Sequence, residues 1–163
     1  CYRLLFNVKY HNITTMPINE ELRTYVSNRL NELRMSIQAN MLREGENASG
    51  RTSRSIEVES REDAISLVGG GEGCAPLQTL ESGSNGWVPF SKLFQWSKDK
   101  GIDFESDKER MRFTFLLRRK IAREGTARYR RHVDIYTTEV ENAINEIVEK
   151  CGNIIIEQIK STL

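Results

Sequence analysis

Residues 18–41 read INEELRTYVSNRLNELRMSIQANM. Within this stretch Ile18, Leu22, Val26, Leu30, Leu33, Ile37 and Met41 recur at steps of three and four. That spacing puts them on one stripe of an α-helix. Asn19, Glu20 and Glu21 suit the positive N-terminus of such a helix, and Gly45 suits its C-terminal cap. The reading is one helix over 18–44, about 27 residues and near 40 Å long. The mean helix has about 11 to 12 residues. A helix this long is expected to lie across a sheet or against another subunit.

Upstream, Leu4, Phe6, Val8 and Tyr10 alternate with Leu5, Asn7 and Lys9, which predicts a strand over 2–10 with one buried face. His11 to Pro17 reads as a turn. Downstream, Ser49-Gly50-Arg51-Thr52-Ser53-Arg54-Ser55-Ile56 is expected to open a strand. Ile56 and Val58 alternate with Glu57 and Glu59, and Ala64 to Val68 returns, so 54–68 reads as a β-hairpin with a four-residue loop. Gly69 to Gly73 ends the pattern, Cys74 to Leu80 is read as a short edge segment, and Ser82 to Gly86 as a flexible loop.

Three helices follow. The first, over 88–100, starts near Pro89, stops at Gly101 and carries Val88, Phe90, Leu93, Phe94 and Trp96. The second, over 107–124, is capped by Ser106 or Asp107 and places Met111, Phe115, Ile121 and Ala122 on one side with arginines opposite. Ala127 to Ile135 reads as a basic loop or short extended piece. The third, over 138–162, begins at the capping-box pair Thr138 and Glu141. It is expected to turn Val140, Ile144, Ile147, Val148, Cys151, Ile155 and Ile159 inward. With Ile154 and Ile156 its apolar residues fall on more than one face, which points to an oligomeric contact. The fold class is α+β. A small antiparallel sheet is packed by the long N-terminal helix and the C-terminal helix, with two shorter helices between, in a single domain over 1–163.

The bulk numbers suit one folded domain of 163 residues, with 38% hydrophobic and 29% charged residues. Net charge is only +1, but residues 108–131 hold ten Lys or Arg against Glu109 and Glu124, a local +8. The rest of the chain therefore carries −7. Such asymmetry suggests a charged face for nucleic acid or an acidic partner. Cys1, Cys74 and Cys151 are widely spaced and odd in number, which indicates neither a disulfide framework nor a zinc site and fits a reducing cytosol. No apolar run approaches the roughly 18 residues of a membrane span, and no signal-peptide pattern is visible. The chain opens at Cys1 rather than Met, which is read as a start inside a longer protein.

No stretch carries recognisable catalytic machinery. Gly69 to Gly73 lacks the Lys-Ser/Thr of a phosphate loop and the spacing of a dinucleotide fingerprint, so it reads as a hairpin exit. His11 and His132 come without a nucleophile elbow or zinc spacing. Glu57, Glu59, Glu62 and Asp63 surround the hairpin as the acids of a metal nuclease would, but no lysine occurs between Lys9 and Lys92. They read as a solvated strand face. No cofactor and no metal are expected. Arg112, Arg118, Arg119, Arg123, Arg128, Arg130 and Arg131 form the strongest chemical signal, as a contact for DNA phosphates or an acidic protein partner. Phe113 and Phe115 among them read as core. Trp87, Trp96 and Phe90 read as a lid on the core, with an exposed Trp87 as an interface anchor in the other reading.

The order of these pieces resembles the head–tail joining, neck and tail-completion proteins of tailed bacteriophages. The long helix is followed by Ser49-Gly50-Arg51…Ser55-Ile56, then the hairpin, then Leu80-Glu81-Ser82-Gly83-Ser84, which is similar to the family's Glu-Phe/Ser-Gly-Thr-like phrase. Ile121-Ala122-Arg123-Glu124-Gly125-Thr126 is similar to its Ile-Ala-Arg/Lys…Gly-Thr helix ending. The resemblance covers roughly residues 18 to 160. It departs at Arg128-Tyr129-Arg130-Arg131, where many members carry a Pro-Phe phrase. It implies a non-enzymatic subunit of a homo-oligomeric ring in the virion, assembled in the host cytoplasm. Such a ring joins tail to head on connector and tail-tube proteins and lets DNA pass. It also implies Gly70, Gly71, Ser82, Gly83 and Trp87 as inter-subunit loop residues, and the arginines as lumen or partner contacts. A small DNA-binding module using 108–131 is the alternative, and a metal nuclease using Glu57 and Glu59 a third.

Overall fold

The computed structural model describes residues 6–7, 20–45, 49–61, 64–69, 77–131 and 133–162, with the side chains of 6, 7, 77, 78, 80, 128 and 162 left aside. The long helix forms as α1, Glu20–Arg43, and buries Leu22, Val26, Leu30, Leu33, Ile37 and Met41 as the spacing requires. Residues 18 and 19 of the expected helix lie outside the described residues.

The sheet has three antiparallel strands in the order β1 (Phe6–Asn7), β3 (Ile65–Val68), β2 (Glu57–Ser60). Of the expected strand over 2–10, only residues 6–7 are described. Val58 faces Leu67 and Ser60 faces Ile65 across the hairpin, and Phe6 faces Leu67 from the other side. Arg61 N–H donates to the Ala64 carbonyl at 2.7 Å and closes the four-residue loop. The strand entry needs correction. Arg51–Arg54 form a helical turn, α2, so the hairpin starts at Glu57 rather than 54. Local polar groups favour the turn. Ser49 Oγ accepts from Arg51 N–H, Ser55 Oγ donates to the Thr52 carbonyl, and Gly50 takes a left-handed φ of 70°.

The edge segment expected at 74–80 is also corrected. Residues 74–76 lie outside the described set, and Leu77–Ser82 form a short helix, α3, closed by Gly83 N–H on the Thr79 carbonyl. Ser82 is therefore its last residue rather than the start of a loop. Next come α4 (Phe90–Asp99) and α5 (Asp107–Glu124). Ser106 caps α5 by accepting from Glu109 N–H. The segment expected to be loop or extended contains one helical turn, α6, Ala127–Arg130. Thr126 Oγ1 initiates it by accepting from Tyr129 N–H at 3.3 Å. The last helix, α7, runs Thr137–Thr162.

The α1 helix contacts β2, β3 and α7. Arg29 pairs with Glu146 and Lys150 with Glu21, so α1 and α7 run antiparallel. The core gathers the α1 stripe, Ile56, Ile65, Leu67, Ile135, Val140, Ala143, Ile147 and Ile154. Ile144, Val148, Ile155 and Ile159, expected inward, are exposed instead. The reason is rotational. Val140, Ala143, Ile147 and Ile154 already fill the side of α7 that meets the core, so the second apolar row is left facing out.

The start of α7 is held by a distant carboxylate. Glu81, only 4% exposed, accepts from the N–H groups of Ile135, Tyr136 and Thr137 at 2.8, 2.6 and 2.9 Å, and from Thr137 Oγ1 at 2.7 Å. The expected Thr138–Glu141 capping box is not the cap. Thr138 N–H goes to Asp134 Oδ1, and Glu81 takes the N–H of Thr137, the first helical residue, with those of Ile135 and Tyr136 just before it. Ile135 is fixed from both sides, because Asn40 Nδ2 of α1 donates to its carbonyl at 3.0 Å. The same phrase makes a second joint. Ser84 N–H donates to Thr126 Oγ1 at 3.0 Å, and Thr126 N–H returns to the Ser84 carbonyl at 2.8 Å.

Burial opposes ionisation of Glu81, but the hydrogen bonds from Tyr136, Thr137 and Ile135 prevail and hold its pKa below the usual 4.5. A depressed carboxyl pKa gives stability that is present above 4.5 and lost as pH falls through the folded-state value. Glu81→Gln should destabilise the fold by about 2 kcal/mol in urea denaturation near neutral pH. It should also flatten the acid limb of the stability–pH curve. An unchanged limb would show that Glu81 is not the titrating group. Gly125 has φ 74° and ψ 174°, and a Cβ there would lie 2.5 Å from the Tyr129 ring. Gly125→Ala should cost about 3 kcal/mol, checked by the same denaturation.

Candidate functional site

The basic segment separates into residues with different roles once α5 forms. Thr114 and Ile121 are the buried residues of this helix. Thr114 of α5 and Ser97 of α4 are both fully buried, with their hydroxyls bonded to backbone carbonyls in their own helices. The other buried residue of α4 is Leu93, and α4 packs on α5. With Thr114 and Ile121 inward, Met111, Phe115 and Leu116 face outward. The expectation that Phe115 and Met111 are core is therefore corrected. Phe113 is half-buried against Phe104, with ring centroids 5.2 Å apart.

Trp87 and Trp96 do not form a lid. Trp87 is 61% exposed and Trp96 lies partly exposed on α4. Arg118 holds Trp87 in place. Its Nε donates to the Val88 carbonyl at 2.9 Å, and its guanidinium sits 4.2 Å from the centre of the Trp87 ring. Arg118 is thus a positioning group more than a free phosphate contact. Arg110, not among the candidates, has the same character, with Nη1 3.2 Å from Ser97 Oγ and its guanidinium over the Phe104 ring.

Arg112 and Arg119 remain on the exposed face. Trp87, Phe115, Arg119, Ala122 and Arg123 line one open groove of about 400 Å³. Phe90, Met111, Arg112, Phe115 and Leu116 line a second of about 450 Å³. The two share Phe115 as their dividing ridge. Arg123 and Arg130 both reach Glu124, at 3.2 and 3.4 Å, and Arg131 is exposed at the end of α6. The Arg128 side chain lies outside what is described. The arginine cluster is therefore a fringe beside an apolar strip, thinned by Glu124.

Of the expected loop residues, Gly83 ends α3 with a φ of 68° and Ser82 is exposed beside it. Gly70 and Gly71 lie outside the described residues, as do His11, His132, Glu62 and Asp63. Glu57 is exposed on β2, and Glu59 pairs with Arg61 at 3.0 Å. Among the described residues no three His, Cys, Asp or Glu side chains converge as a metal site would require. No helix there is long and apolar enough to cross a membrane. Cys151 is half-buried along α7, and burial pushes its thiol pKa up.

A second exposed strip runs along α7, through Ile144, Val148, Ile155 and Ile159. Apolar spacing puts residues on two faces of this helix, and one of those rows is exposed. The partly apolar α5 face gives no such sign in the sequence, because Met111 and Phe115 look like core by period alone. The full burial of Thr114 is what decides the rotation, and a lone threonine gives no such signal.

Arg118→Ala should free the Trp87 ring, shifting and broadening tryptophan emission at a stability cost below about 1 kcal/mol. Arg118→Lys, which keeps the charge but loses the planar group, should restore little of the emission. No protein-family model, curated protein or solved structure matches this chain.

Proposed function

We propose that this chain is a non-enzymatic structural subunit of a tailed-phage neck or tail-completion ring, joining tail to head while DNA passes. The observation that carries the reading is what the two quoted phrases do in space. Leu80–Ser84 and Ile121–Thr126 meet through the reciprocal Ser84–Thr126 hydrogen bonds, and Glu81 of the first phrase holds the start of α7. Glu81, Ser84 and Thr126 of the two phrases are therefore spent on joints between elements. The apolar strips on α5 and α7 add to this, since large exposed apolar surfaces mark association sites. The natural partners are further copies of the chain together with connector and tail-tube proteins, and the location is the virion.

The alternative, a DNA-binding module, draws on exposed Arg112, Arg119 and Lys120. Inactivating the gene in the encoding phage should leave DNA-filled heads and finished tails unjoined in electron micrographs. Normal virions would overturn the proposal. Tight, steeply salt-dependent binding of the purified chain to short duplex DNA would move the assignment to the alternative.

A further inference from the structure

The two exposed strips are complementary in length, shape and charge. On α5, Met111, Phe115 and Ala122 span eleven residues, about 16 Å of helix. On α7, Ile144, Val148 and Ile155 span the same eleven, again about 16 Å. At about 100° per residue each set falls within a sector of roughly 40°. The α5 strip is hollow, with a groove on each side of Phe115. The α7 strip is a row of β-branched side chains on a single helix, a shape that fits grooves of this kind.

Charge follows the same arrangement. Lys108, Arg112, Arg119 and Arg123 line one flank of the α5 strip, and Glu141 and Glu149 line one flank of the α7 strip. All six are exposed. Over its whole length α7 has five glutamates against two lysines, while α5 has seven cationic residues against three acidic ones. Within one molecule the strips belong to different packing partners, since α5 lies on α4 and α7 lies on α1. Both remain exposed in the isolated chain.

We infer that the α5 strip of one copy receives the α7 strip of a second copy of this chain. Ile144 and Val148 enter the grooves beside Phe115, and Glu141 and Glu149 face the cationic fringe. Because the two surfaces differ, the contact is head-to-tail. Each copy keeps one unused face of each kind, so assembly continues until a ring closes. This inference rests on the ring reading proposed above and names the contact that would build it.

The test uses two full-length variants, Phe115→Asp and Val148→Asp, at positions 51% and 63% exposed. Circular dichroism and thermal melting should match the parent for both. By sedimentation velocity the parent chain should form discrete oligomers as concentration rises, more weakly at high salt. Each variant alone should stay monomeric, with self-association weakened on the order of a hundredfold. An equimolar mixture should give a 1:1 dimer and stop there, because only one intact α5 face and one intact α7 face remain to meet. Should Phe115→Asp assemble like the parent while Val148→Asp does not, α7 pairs with itself and the inference is wrong. A parent that stays monomeric throughout, variants that both assemble, or a mixture that stays monomeric would each overturn it too. Reversing charge on both faces in one chain, Arg112→Glu and Arg119→Glu with Glu141→Arg and Glu149→Arg, should restore assembly that either half-reversal abolishes. Labelling of the junction in virions is a separate readout. A chain found there without the α5–α7 contact keeps the neck function and loses this interface, and the reverse result keeps the interface and loses the function.

Discussion

The buried carboxylate of Glu81 is the constraint on which the rest of the molecule depends. A helix start leaves backbone N–H groups without intrahelical partners. Glu81, 54 to 56 residues earlier in sequence, takes the first of them in α7, at Thr137, together with the N–H groups of Ile135 and Tyr136 that lead into the helix. Replacing it with an apolar group would leave several buried donors unpaired, which costs more than the bonds themselves contribute. Asn40 takes the carbonyl of Ile135, so α1, α3 and α7 are fixed relative to one another around a single residue. The α1–α7 pairing and the sheet against α1 pack around that arrangement through the shared apolar core.

What could be read from the sequence was what depends on period. The α1 stripe, the hairpin with its four-residue loop and the bounds of α5 follow from apolar spacing, and they reappear with shifts of at most three residues. What could not be read depends on partners remote in sequence. The Thr138–Glu141 pair matches a local capping rule, but Thr138 N–H is taken by Asp134 and the segment just before it is held by Glu81 from 54 to 56 residues away. The α2 turn forms where serine and threonine hydroxyls satisfy backbone groups locally, and a short polar stretch gives no periodic sign of that. The outward rows on α5 and α7 share a different cause. Helical spacing says which residues align but not which of two apolar rows wins the core, and that choice is set by Thr114 on one helix and Ala143 on the other.

The candidate surface was legible in composition more than in geometry. The excess of positive charge in 108–131 was evident, and so was the surplus of apolar rows on the last helix. Their division of labour was not. Arg118 is tied to Trp87 and Val88, while Arg123 and Arg130 stay exposed but share Glu124, so a count of cations overstates the uncompensated charge that faces outward. The remaining charges border an apolar strip, which is the composition of a protein contact: an apolar centre with a polar rim.

Among the described residues, the polar links from the α4–α5 pair to the rest include the Ser84–Thr126 exchange, the Arg51–Asp99 ion pair and a bond from Lys100 Nζ to the Gly45 carbonyl. Its buried residues are few: Leu93 and Ser97 on α4, Thr114 and Ile121 on α5. Such a unit has a lower opening free energy than the α1–sheet–α7 body, so its amides should exchange with solvent as one block while those of α1 stay protected. A hairpin that opens and closes by itself can adjust its angle to a neighbour without disturbing the core. In the proposed ring, tolerance to mismatch between neighbours would reside in this helix pair rather than in the α1–sheet–α7 body.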